Sequence, residues 1–122
     1  MSLTAYQKTQ HATEDTRSTE YRLFGLVTSA LMEASKEERG SQKLVAAVDW
    51  NRRLWNTLAA DCADDGNLLP ATVRAQIISL SLWVGRYSSQ VIRKRAAIDP
   101  LIDINRTIMQ GLAPQSAAPV KP

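Results

Sequence analysis

Side chains able to do chemistry are scarce in this 122-residue chain. A single cysteine, Cys62, rules out an intramolecular disulfide and suits a reducing compartment. A single histidine, His11, excludes any metal centre built from several His or Cys ligands. Glycine and proline number five each, too few for a collagen-like or low-complexity chain. The most apolar stretch, residues 77–85, falls far short of the ~20 residues that cross a bilayer. Residues 1–11 include Gln7, Lys8 and Gln10 and lack the apolar block of a secretory leader. There is no glycine-rich phosphate loop, no nucleophile spaced to a base, and no carboxylate pair in an apolar setting. The expectation is a protein that is not an enzyme, with no catalytic residues, cofactor, metal or small-molecule substrate. A net charge of +3, with acids and bases interspersed, is no argument for nucleic acid by itself.

What the chain does have is apolar spacing. At 44% apolar residues it can bury about two thirds of its surface, enough for one modest core. Helical periodicity dominates and strand-like alternation is missing. A first helix is predicted over residues 18–35, with Ser18 as N-cap and Leu23, Val27, Ala30, Leu31 and Ala34 inward. Arg22, Gly25, Ser29 and Glu33 lie opposite. Gly40 reads as a C-terminal cap and Ser41 as the next N-cap. A second helix over 41–63 buries Leu44, Ala47, Val48, Leu54, Trp55, Leu58, Ala59 and Cys62, and stops at Asp64-Asp65-Gly66-Asn67. A third runs over 70–95 from Pro70, with Val73, Ile77, Leu80, Val84 and Val91 as its main stripe. Ile78, Leu82 and Gly85 form a second apolar strip, and so wide an arc predicts the central helix of the bundle. Asp99-Pro100 opens a fourth, to Gly111, with Leu101, Ile104, Ile108, Met109 and Leu112 inward. The expected fold is all-α: a small antiparallel bundle of about four helices over 18–112, a flexible polar arm over 1–17, and a disordered tail over 113–122.

Within that frame a few residues stand out. Trp50 lies on the edge of the second helix's apolar arc, next to Arg52 and Arg53; it either anchors a partner or covers the bundle's flank. Ile78 and Leu82, with Trp83 near them, suit a partner helix unless the fourth helix or the arm covers them. Asn51 and Asn105 fall in the middle of apolar arcs. They either clamp helices through buried amides or line a groove for a partner's backbone. Asp99, Asp103 and Arg106 read as a solvated stripe, with Asp103 and Arg106 at pairing distance. Arg86 and Arg93-Lys94-Arg95 gather where a helix dipole favours cations.

In order and spacing these segments resemble a known family. Thr19-Glu20-Tyr21-Arg22-Leu23-Phe24, Asp49-Trp50-Asn51-Arg52-Arg53-Leu54-Trp55, and Leu58 through Cys62 to Pro70 come first. Ile78 to Val84, Pro100 to Arg106 and Ile108-Met109-Gln110-Gly111-Leu112 follow. Together they look like FlaF, the flagellar biosynthesis regulator of alphaproteobacteria, over about residues 5–112. The resemblance implies a non-enzymatic cytoplasmic protein that promotes flagellin synthesis and export. Flagellin is its expected partner, and secretion chaperone its expected role, opposite FlbT, which restrains flagellin translation. The alternative is a post-transcriptional regulator acting on flagellin mRNA directly or through FlbT, with Arg52, Arg53, Arg86, Arg93, Lys94 and Arg95 on phosphates. A structural adaptor ranks third. On the chaperone reading Trp50, Arg52, Arg53, Ile78, Leu82 and Trp83 bear on the partner.

Overall fold

In the computed structural model the backbone is described for residues 3–112 and the side chains for residues 19–111. Four helices follow one another: α1 (Leu3–Ala34), α2 (Gln42–Ala63), α3 (Ala71–Ile92) and α4 (Asp99–Leu112). The described residues contain no strand, as the periodicity requires. The expected tail over 113–122 and the His11 side chain lie outside the described residues.

Cap chemistry explains most of the boundaries. Ser41 is the N-cap of α2, its Oγ accepting from Leu44 N at 3.2 Å. After α2 the Asp64 carboxylate accepts from Gly66 N and Asn67 Oδ1 from Leu69 N, which turns the chain within seven residues. Arg74, on α3, reaches back to the carbonyls of Cys62 and Asp64 at 3.5 and 3.4 Å, where α2 leaves carbonyls without helical partners. Pro70 sits one position earlier than expected, as the N-cap of α3.

The expected start of α1 is corrected: its backbone is helical from Leu3, not from Ser18. Phe24 packs edge-on against Trp55, ring centroids 5.6 Å apart at 89°. Eight residues further along α2 and eight back along α1, Ala63 is level with position 16. Earlier residues have no α2 beside them, so no apolar stripe marks that half of the helix. Gly40 is corrected too. α1 ends at Ala34, and Gly40 (φ +80°) occupies the third place of the turn closed by Ser41 N to Glu38 O.

The helices form an up-and-down ring that is open along one edge. α2 packs on both α1 and α3, α1 packs on α4, and α3 only brushes α4. So α2, not α3, is the centre of the bundle. Its buried stripe is Leu44, Ala47, Val48, Asn51, Trp55, Leu58 and Cys62. The facing stripe of α3 is Ile77, Ser81, Val84, Ser88 and Val91. Two serines on that stripe are small enough to let the helices approach closely, and Ser81 Oγ donates to Trp55 O at 3.4 Å. On α1 the buried stripe is Phe24, Val27, Thr28, Leu31 and Ala34. It is rotated from the expected one, so Leu23 is 36% exposed and Gly25 faces Met109 of α4.

The centre of the ring holds amides. Asn51 and Asn105 are both fully buried. Asn105 Oδ1 accepts from Trp55 Nε1 at 2.9 Å, and Asn105 Nδ2 donates to Asn51 Oδ1 at 2.8 Å and to Thr28 Oγ1 at 3.2 Å. One α4 side chain thereby ties α1 and α2 together, across a diagonal where the backbones of α2 and α4 do not touch. Such a network fixes register, because every slipped arrangement strands polar atoms in the core.

Candidate protein-binding groove

α3 carries apolar side chains on both flanks of its buried stripe. At 100° per residue, Leu80, Trp83 and Tyr87 fall on the flank towards α4, and Ile78, Leu82 and Gly85 on the other. Leu80 and Trp83 line the open α3/α4 edge together with Pro100, Asp103, Ile104 and Thr107 of α4, enclosing about 410 Å³. The groove is mainly hydrocarbon and indole, with the Asp103 carboxylate as its one charge.

Trp83 is set in place before any ligand arrives. Its ring stacks on Tyr87 at 4.9 Å and 17°, and Tyr87 Oη donates to Ala97 O at 2.7 Å. The stack is thereby tied to the connection between α3 and α4. A rigid, 38% exposed indole on a groove wall loses little side-chain entropy on binding. Asp103 takes no ion-pair partner among the described residues. The expected Asp103–Arg106 pair does not form; Arg106 Nη2 instead lies 3.5 Å from Met32 Sδ on α1.

The six expected partner residues are not brought together. Trp50, 38% exposed, is on the α1 side of α2, four residues before Leu54. Leu54 lines a second groove of about 340 Å³ with Leu23, Phe24, Leu58 and Asp61. Arg52 and Arg53 both pair with Asp49, at 3.1 and 3.2 Å. Leu82 is exposed and Ile78 half-buried on the flank of α3 away from α4. Only Trp83 lies in the α3/α4 groove. Leu80, Pro100, Ile104 and Thr107 complete it; sequence spacing put Leu80 and Ile104 in the core. A hint was present in the breadth of α3's apolar arc, which exceeds what one neighbour covers.

The remaining polar features are structural. Burial pushes the Cys62 thiol above its usual range, with Glu20 and Asp61 adding to the rise and Arg74 opposing it, so the sulfur stays protonated and unreactive at neutral pH. No three His, Cys, Asp or Glu side chains converge among the described residues. At the C-terminus of α3, Arg95 N donates to Gln90 O and Lys94 N to Val91 O, with Lys94 in the left-handed region (φ +64°). This is a Schellman cap with lysine where glycine is usual. The Lys94 side-chain stem lies against Gly40.

Among the described residues no helix is long and apolar enough to cross a membrane. No curated protein and no solved structure matches the chain. The family model described as "Flagellar protein FlaF" matches residues 2–112, which takes in all four helices and the groove. The chain belongs to the FlaF family of flagellar proteins.

Proposed function

We propose that this protein is a cytoplasmic export chaperone that holds a terminal helix of flagellin in the α3/α4 groove. The observation that carries this reading is the open edge of the ring: two helices that barely touch, walled by Leu80, Ile104, Pro100 and a fixed Trp83. An amphipathic helix laid there would supply the packing that α3 and α4 do not give each other. Flagellin's terminal helices carry the apolar surface that drives filament assembly, and covering them until export is what a chaperone of this kind does.

The basic residues favour this reading over direct contact with flagellin mRNA. Arg52 and Arg53 share Asp49, whose carboxylate offsets one of their two positive charges and so weakens that point as a phosphate-binding surface, although Arg53 stays exposed.

The test is a calorimetric titration of monomeric flagellin into the full chain at low and high salt. Saturable binding is expected, little changed by salt and with a negative heat-capacity change. Trp83→Ala should weaken it by roughly thirtyfold, the range of an interface anchor, with helicity and melting temperature preserved. Binding that falls steeply with salt, or that ignores Trp83→Ala, would sink the assignment.

A further inference from the structure

A second edge of the ring has apolar surface left over. The helices run in the ring order α4, α1, α2, α3, so the α1/α2 edge lies across the bundle from the α3/α4 edge. Leu23, Leu54 and Leu58 line a groove of about 340 Å³ there, over the buried Phe24 ring. By helical spacing the apolar strip continues through Leu26, three residues after Leu23, and Trp50, four before Leu54, both exposed. At the other end stand two carboxylates, Glu20 and Asp61. We infer that this α1/α2 groove is a separate docking site for an amphipathic helix with a lysine or arginine just beyond its apolar face. The inference is independent of the flagellin reading, because it uses none of the α3/α4 residues.

Charge sets the first requirement on the partner. Among the described residues the lining holds two acids and no base, in a chain whose net charge is +3. Both carboxylates push up the thiol of the neighbouring Cys62, so they converge on one end of the groove. Arg74, the cation that opposes them at that thiol, is turned to the carbonyls of Cys62 and Asp64. The Asp61 carboxylate has no hydrogen-bond or ion-pair partner among the described residues. A cation from outside is what that end lacks.

Backbone chemistry sets the second requirement. Both walls are α-helices whose mid-helix amides and carbonyls are bonded to each other, and the described lining adds only the Thr19 and Thr57 hydroxyls. An extended peptide would leave its own backbone groups unpaired against such walls. A helix arrives with its backbone already bonded. Length sets the third. From Trp50 to Asp61 α2 rises about 16 Å, which three turns of a partner helix match. Its apolar side chains then recur at helical spacing against Leu23 and Leu54, and its basic residue follows one turn later, as Asp61 follows Leu58.

The experiment titrates the full-length, methyl-labelled chain with a stapled fifteen-residue helix. This probe carries leucine at positions 1, 4, 8 and 11 and lysine at 12 and 15; two companion peptides carry glutamine or glutamate in place of lysine. Saturable shifts are expected at the Leu23, Leu54 and Leu58 methyl groups, with those of Leu80 and Ile104 unmoved. The lysine peptide should bind about threefold tighter than the glutamine one, the range of an exposed ion pair, and the glutamate peptide weakest. Asp61 is exposed near the C-terminus of α2, where a cation suits the helix dipole, so Asp61→Lys should keep the melting temperature. That variant should lose the preference for lysine over glutamate, whereas Leu23→Ser should weaken all three peptides alike.

Equal affinities in the native chain, a lysine preference that survives Asp61→Lys, or shifts at Leu80 and Ile104 instead would overturn the inference. So would the lack of a saturable shift at millimolar peptide. Methyl shifts that grow with protein concentration alone would overturn it too, because a second copy of the chain then covers this edge. Flagellin binding through Trp83 stands or falls without bearing on any of these outcomes.

Discussion

Asn105 and Asn51 are the same residue type at the same burial, yet they carry unequal loads. Asn105 satisfies three partners at once: Trp55, Asn51 and Thr28. Asn51 accepts one bond, and its own Nδ2 has no partner. Asn105→Leu strands a buried indole N–H and an amide oxygen, each costing about 1–3 kcal/mol. Asn51→Leu removes an amide that is already half unsatisfied and leaves Asn105 bonded to Trp55 and Thr28. Urea denaturation should therefore show Asn105→Leu the more destabilising by about 1–2 kcal/mol or more. Equal costs would mean that the two amides act only through their volumes. That both asparagines lie in the core was legible in the sequence, since each sits on an apolar arc. The hub role of Asn105 was not, because it depends on Thr28 and Trp55 arriving from helices 77 and 50 residues away in sequence.

At the level of elements, local signals worked wherever chemistry punctuates the chain. Ser41, Asp64-Asp65-Gly66-Asn67 and Asp99-Pro100 each marked a boundary now seen within a residue or two. They failed where packing decides. The first half of α1 has no apolar stripe to reveal it, and Ser81 and Ser88 hide on α3's buried face because serine does not read as core. The two connections at one end of the bundle are coupled in a way spacing cannot show. Gly40 has φ +80°, and a β-carbon there would collide with the Lys94 side chain, whose own backbone is left-handed. Gly40→Ala should cost about 1–2 kcal/mol from the backbone conformation, plus a steric part. Lys94→Gly relieves the cap, by about 0.5–1 kcal/mol, and removes the obstructing stem. Gly40→Ala should accordingly be milder in the Lys94→Gly background than alone. A double-mutant cycle of thermal melts gives that coupling directly; strict additivity would show that the two connections do not press on each other.

Across the whole molecule, burial is distributed unevenly around the ring. α2 lies between two neighbours, whereas α4 leans on α1, brushes α3, and reaches α2 only through the Asn105 side chain. The sequence reading placed α3 at the centre because its apolar arc is wide. Part of that width faces solvent at Leu82 and part faces the groove at Trp83. The breadth of an apolar face therefore marks a helix that has something left to bind as readily as one that is enclosed. This unevenness has a dynamic consequence. An element with few buried neighbours opens at lower free energy than the core it rests on. Native-state hydrogen exchange should show the amides of residues 104–107 on α4 exchanging at least about tenfold faster than those of residues 51–55 on α2, a gap of roughly 1.4 kcal/mol. A groove ligand bridging α3 and α4 should slow the α4 amides selectively, since it supplies the contact that edge lacks. Uniform protection in the free protein would mean that the four helices open as one unit. The α3/α4 edge would then be a settled surface, not one waiting to be closed.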